Sequence, residues 1–239
     1  MQIAVLVYPG VTALDAIGPY EVLRFIPDSE LRFISREPGP IVADSGVLLL
    51  GATHSYDETP SPDIILVPGS EANTATAMAD PELLKWVNRA HQTSRLTLSV
   101  CSGALILAAA GILKGHPATT HWIAQSVLPK FGAEPQPDKR IVKSGKIITA
   151  AGVSAGIDLA LLVVGEICGR ERAEVVQLLI EYDPQPPFKS GHPTKASKAV
   201  FAAASSEMQE RSRNGRNVLS VPSIFWRNTI NKVRNRFGS

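Results

Sequence analysis

Short apolar runs alternate along this chain with longer stretches whose apolar residues recur at helical spacing. The first run, Gln2-Ile3-Ala4-Val5-Leu6-Val7-Tyr8, is rich in β-branched residues and stops at Pro9-Gly10, which predicts a buried strand closed by a turn. Residues 15–25, with Ile17, Val22, Leu23 and Phe25 at helical spacing, predict a helix. A second strand is predicted over 31–35, and 41–43 with 47–50, around Asp44-Ser45-Gly46, predict an added hairpin. Asp63-Ile64-Ile65-Leu66-Val67-Pro68-Gly69 reads as another buried strand, followed by a polar loop, Glu71-Ala72-Asn73-Thr74. Asp80 then caps a helix over 81–91, with Pro81 at its first position. A strand over 96–100 precedes a helix over 102–113. A hairpin follows from 140–142 and 146–149 across Ser144-Gly145. Helices are predicted over 154–168 and 171–182, and over 195–211 after the break at Pro184-Gln185-Pro186-Pro187.

Strands that alternate with helices imply a mostly parallel sheet covered on both faces. Ligands in such sheets gather at the carboxyl ends of the strands. No repeat or linker interrupts the chain before about residue 184, so residues 1–195 read as one α/β domain and 196–239 as a C-terminal helix with a basic tail.

Composition narrows the function. At 239 residues the chain is long enough for a sizeable core. A net charge of +2 gives no signal for nucleic acid or for an anionic membrane. The excess sits in 205–239, which carries +5 and includes Phe225-Trp226. Dimer packing or a frayed end is the preferred role for that tail, over contact with a membrane or partner. Two cysteines, Cys101 and Cys168, are too few for a disulfide framework and lack metal-ligand spacing, which favours a reducing compartment. The N-terminus lacks the basic residues of a signal peptide, and no apolar run approaches a membrane span. The expected location is the cytoplasm.

The strongest chemical signal is Ser99-Val100-Cys101-Ser102-Gly103, set between an apolar strand and an apolar helix. A nucleophile on such a turn projects from the sheet's end, and the small residues beside it let the chain bend. Helix amides aimed at the sulfur predict a thiol pKa lowered from about 8.5 towards roughly 3.5–7.5. In this context a nucleophile is preferred over an inert buried cysteine; Cys168, at a helix end, reads as packing. Asp15 falls on the turn after the first strand, at the same end of a parallel sheet as Cys101. Local sequence favours an N-cap there, while a carboxyl group beside a thiolate would have its pKa raised and could move a proton near neutral pH. Amides of Gly69 and Ser70 are candidate donors to developing negative charge. His121, in Ala118-Thr119-Thr120-His121-Trp122, starts a helix after another short strand and reads first as a structural residue, second as a partner of the thiol.

Pro68-Gly69, Val100-Cys101-Ser102-Gly103, Ala118-Thr119-Thr120-His121-Trp122 and Ala155-Gly156-Ile157-Asp158 together resemble the ThiJ/PfpI superfamily, related to class I glutamine amidotransferases. Leu14-Asp15-Ala16-Ile17-Gly18-Pro19 and the stretch from Val176-Gln177-Leu178 through Glu181-Tyr182-Asp183 to Phe188 are similar to its isocyanide hydratase branch. The likeness covers residues 1–195. It implies a flavodoxin-like sandwich, a homodimer, and no metal or organic cofactor. It implies hydration of an isocyanide, a small electrophile, to an N-substituted formamide by a cysteine-dependent lyase. Cys101 would be the nucleophile, Asp15 its partner, and Ser102 the hydroxyl residue after it. Ser70 stands where the family has a second glycine, which bears on the pocket's shape. Two other readings stay open: a glyoxalase- or amidase-type thiol enzyme, and a redox- or ligand-sensing domain related to AraC-type regulators.

Overall fold

A computed structural model describes residues 1–214, with side chains through residue 211; the basic tail beyond, Phe225-Trp226 included, lies outside the described residues. The strands in chain order are β1 (Gln2–Leu6), β2 (Glu30–Ser35), β3 (Gly39–Val42), β4 (Leu49–Ala52), β5 (His54–Ser55), β6 (Ile64–Val67), β7 (Leu96–Ser99), β8 (Pro117–Ala118), β9 (Glu134–Pro135), β10 (Ile141–Ser144) and β11 (Ile147–Ala150). The helices are α1 (Ala13–Leu23), α2 (Thr74–Ala79), α3 (Pro81–Thr93), α4 (Gly103–Ala109), α5 (Ala155–Cys168), α6 (Arg170–Leu179) and α7 (Lys198–Asn214), with a 3₁₀ helix over Trp122–Phe131.

Seven strands form one sheet in the order β10-β11-β7-β6-β1-β2-β5, parallel throughout except for the β10–β11 hairpin. The five central strands, taken in chain order, therefore lie 2-1-3-4-5, the doubly wound flavodoxin-like arrangement. Ile64 to Val67 and Ile147 to Ala150 are buried without a break, because helices cover both faces. Helix α5 packs between α1 and α6, while α2 and α3 pack against α4.

Small residues set the closest approaches. A Cβ at Gly103 would lie 2.0 Å from the Val67 carbonyl oxygen, and one at Gly156 would lie 2.9 Å from Pro19 Cγ. These contacts explain two features of the sequence: glycine after the cysteine turn, and Gly18-Pro19 opposite the start of α5. Pro19 also has no N–H for the carbonyl of Asp15 four residues earlier.

Several expectations shift. Asp15 does not cap α1; the helix begins two residues earlier, and Thr12 holds the cap position. Part of the expected polar loop leads into α2, where the Ser70 hydroxyl accepts from the Asn73 amide at 2.8 Å. Helix α4 stops at Ala109 rather than 113, short of Gly111 at φ +82°. The hairpin strands β3 and β4 sit one or two residues further out than predicted and form a separate antiparallel pair. Asp80 caps α3 as expected, accepting from the amides of Glu82 and Leu83. Among the described residues no helix is long and apolar enough to cross a membrane.

Candidate active site

Cys101 stands immediately beyond β7, at φ +56°. A non-glycine residue with positive φ is strained by roughly 1–3 kcal/mol and persists where its surroundings dictate it. Here the surroundings are specific. The Val100 amide donates to the Val67 carbonyl at 3.1 Å, Gly103 donates back to Val100 at 2.9 Å, and the Thr120 hydroxyl donates to the Cys101 carbonyl at 2.8 Å. The Thr-Thr-His-Trp motif thus contributes a threonine that pins the turn.

Asp15 is fully buried. Its Oδ2 accepts from the Gly69 amide at 2.9 Å, and the Cys101 thiol is its other hydrogen-bonding neighbour. Oδ1 has no N–H or O–H partner among the described residues. Topology explains the meeting. The loops after β1, β6 and β7 leave the same end of adjacent parallel strands, at the point where the strand order reverses. Gly69 is required at the crossing, since a Cβ there would lie 2.4 Å from Ser102 Oγ and 3.0 Å from Asp15 Oδ2.

Burial raises the Asp15 pKa from 3.8 to about 7, against the lowering effect of the Gly69 amide and the thiol. The thiol does not follow the sequence expectation. Burial first, then the negative charge of Asp15, push Cys101 upward, and the Ser102 amide and hydroxyl offset this only in part. Desolvation of the sulfur outweighs the short helix behind it. The pair therefore titrates as a unit and holds one proton between its two members over a wide range above neutrality.

The other candidates take clear places. The Ser70 amide donates to Ser102 Oγ at 3.0 Å and to Thr74 Oγ1 at 3.2 Å, and the two hydroxyls lie 2.7 Å apart. The Gly69 and Ser70 amides are thus engaged by protein groups: Gly69 positions the carboxyl, and Ser70 positions Ser102. The Ser70 hydroxyl turns back to the Gly10 carbonyl at 2.5 Å. His121 lines the same cavity, but it makes no hydrogen bond to Cys101 or Asp15; burial lowers its pKa, and its ring lies 5.5 Å from that of Trp122. Cys168 is a half-buried free thiol packed beside the core.

Sequence reasoning missed two groups here. Thr74, read as loop, bonds to Ser102 from the start of α2. Asp44, read as a hairpin turn, lines the cavity and accepts from the Thr12 hydroxyl at 2.5 Å. A turn-type aspartate carries no signal of this kind, because the bonds that bring it inward are non-local: the Gly10 amide donates to the Val42 carbonyl at 2.8 Å and the Asp44 amide to the Val11 carbonyl at 3.1 Å.

Cys101 forms part of the wall of a cavity of about 650 Å³, within the usual range for small-molecule sites. The polar part of the lining comprises Ser70, Thr74 and Ser102, together with Thr12, Asp44, Glu71, His121 and Lys130. Much of the remaining lining is apolar. Such a site can add a sulfur nucleophile to an electrophile and move one proton beside it.

Comparison with known proteins follows this geometry. Residues 1–166 match the DJ-1/PfpI family. The chain is 40% identical to isonitrile hydratase of Pseudomonas putida over 204 residues, covering 85% of this chain and 88% of that protein. A crystal structure of a THiJ/PfpI family protein from Pseudomonas syringae superposes with a TM-score of 0.84 at 34% identity, over 92% of this chain and 90% of the other. Drosophila melanogaster DJ-1beta, at 19% identity, shares the fold with a TM-score of 0.69 over 77% of this chain and 98% of its own.

Proposed function

The chain belongs to the DJ-1/PfpI family, and from that premise we propose that it adds water to an isocyanide to give an N-substituted formamide. The observation that carries the reading is the burial of Asp15 beside Cys101, with the sulfur's residue in the wall of a largely apolar cavity. An isocyanide has a terminal carbon open to a soft nucleophile and an organic group that seeks apolar surroundings. The similarity to an isonitrile hydratase over most of the chain points the same way.

In the reactive form the sulfur is a thiolate and Asp15 is protonated. Sulfur bonds to the terminal carbon while Asp15 delivers its proton to that carbon, giving a thioimidate and leaving Asp15 as carboxylate. Water then attacks the same carbon. Asp15 takes one of the water protons and passes it to the nitrogen. Collapse of the tetrahedral adduct breaks the carbon–sulfur bond, returns the hydroxyl proton to Asp15 and releases the formamide. Thiolate and protonated carboxyl are restored. This is covalent catalysis with one acid–base partner. The Ser102 amide and hydroxyl steady the sulfur's charge. His121, a neutral ring in the wall, is a contact for the bound substrate in this scheme and moves no proton.

Formamide production by the purified protein, Cys101→Ser and Asp15→Asn checks the reading. Each substitution is expected to lower kcat by at least about 10²-fold, the usual range for losing an acid–base partner or nucleophile. Turnover that survives in Cys101→Ser rejects it. Assembly as a homodimer and a cytoplasmic location belong to the same reading; light scattering on the purified chain decides the first.

A further inference from the structure

The hydration scheme uses polar side chains of the cavity lining and leaves the apolar ones without a role. Leu105, Ile123, Val127 and Phe131 line the cavity from α4 and the 3₁₀ helix, which also brings Lys130, and Met208 lines it from α7. Helix α7 is otherwise remote from the chemistry, lying beyond both the sheet and the irregular segment after α6. Three residues bring it to the site. The Phe201 ring sits 5.3 Å from that of Trp122, Met208 lines the cavity, and the Arg211 guanidinium pairs with the Glu71 carboxylate at 2.9 Å.

Their spacing is that of one helical face. Positions 201, 208 and 211 are separated by seven and three residues, so they recur every one or two turns on the same side. Ala204 and Ser205 fall between them, and they too are partly covered. From Phe201 to Arg211 the axis advances by about 15 Å at 1.5 Å per residue, enough to span the width of a small-molecule site. The Arg211–Glu71 pair remains open to solvent, and such pairs contribute little stability. Contact through Phe201 and Met208 therefore contributes more to seating the helix.

We propose that Met208 is a specificity-determining residue: α7 forms one wall of the substrate chamber, and the Met208 side chain limits the size of the group carried on the isocyanide nitrogen. This rests on the hydration reading. A flexible thioether adapts to different apolar partners, which suits a wall against aryl and alkyl groups. The substrate class that fits is a hydrophobic isocyanide, with the carbon terminus at Cys101 and its substituent among the side chains of α4, α7 and the 3₁₀ helix.

The test compares kcat/KM for ethyl, phenyl and 2-naphthyl isocyanide in the full-length wild type, Met208→Ala and Met208→Trp. The naphthyl-to-ethyl ratio is expected to rise in the alanine variant and fall in the tryptophan variant, with about tenfold or more between the two, as for size changes in an apolar pocket. Phe201→Ala, which unseats the helix without touching the chamber's lining, is expected to shift the ratio as Met208→Ala does. A ratio that stays at the wild-type value in all three variants overturns the proposal while leaving hydration intact. Failure of the wild type to hydrate any of the three isocyanides instead removes the hydration reading, and the size limit with it.

Discussion

Two side chains that are each common in proteins acquire unusual acid–base behaviour here because both are buried. A carboxyl group at about pKa 7 is protonated half the time near neutrality, and the thiol beside it resists losing its own proton. At low pH both groups carry protons and the sulfur is a poor nucleophile. As pH rises through about 7 the pair loses one proton, and the form with thiolate and neutral carboxyl becomes available. We therefore expect kcat/KM for isocyanide hydration to rise with pH through about 7, and to fall again only at strongly alkaline pH when the second proton leaves. A pH–rate profile checks this, and a profile that falls through neutrality contradicts it. Residual activity in Asp15→Asn should lack the inflection near 7. Tyr8 takes no part in this titration: burial first, then Asp15, hold its phenol protonated far above neutrality, and it donates to the Pro68 carbonyl at 3.1 Å.

At the scale of elements, the turn after β7 is the part that the rest of the site is built around. Its strain is local to Cys101, so it can be separated from the chemistry of the sulfur. Both Cys101→Ala and Cys101→Gly remove the thiol, but only glycine relaxes at φ +56°. Cys101→Gly is expected to be more stable than Cys101→Ala by about 1 kcal/mol, read by urea denaturation, because alanine keeps the Cβ that makes the conformation costly. Equal stabilities would mean that the turn is not held against a steric preference. The same turn shows why parts of the site were legible in the sequence. An apolar strand, a cysteine, two small residues and an apolar helix are all local signals, and they put Cys101 on the strand-to-helix turn where it stands. Asp15 was harder: its local pattern favours a cap, and only resemblance to a known motif turned attention to its chemistry. Helix α2 and Thr74 were not legible, since six residues of Thr-Ala-Thr-Ala-Met-Ala carry no distinct apolar stripe, and the helix is fixed by bonds to Ser70 and Ser102. The short strands β5, β8 and β9 depend on non-local pairing in the same way.

For the molecule as a whole, the 2-1-3-4-5 strand order assembles the candidate site, because it brings three loops distant in sequence to one end of the sheet. Residue 69 meets residues 15 and 102 only where β1 and β6 lie side by side and β7 follows. Building an acid into that crossing has a cost in global stability, whose sign follows from linkage. The unfolded chain releases the Asp15 proton near 3.8, and the folded chain holds it to about 7. Between those values the native state binds more protons than the unfolded state, so its stability falls as pH rises. The contribution is intact below about pH 4 and gone above about pH 7; at 1.36 kcal/mol per pH unit the loss is on the order of 4 kcal/mol. The raised thiol pKa continues the decline above pH 9. Asp15→Asn keeps an oxygen that can accept from the Gly69 amide but cannot ionise, so it should lack the decline between pH 4 and 7. Urea unfolding of both proteins across that range isolates the term, since the carboxylates they share cancel in the difference. The variant should gain on the wild type steadily as pH rises, and a difference that does not vary with pH would place the Asp15 carboxyl in contact with water rather than sealed beneath the loop after β6.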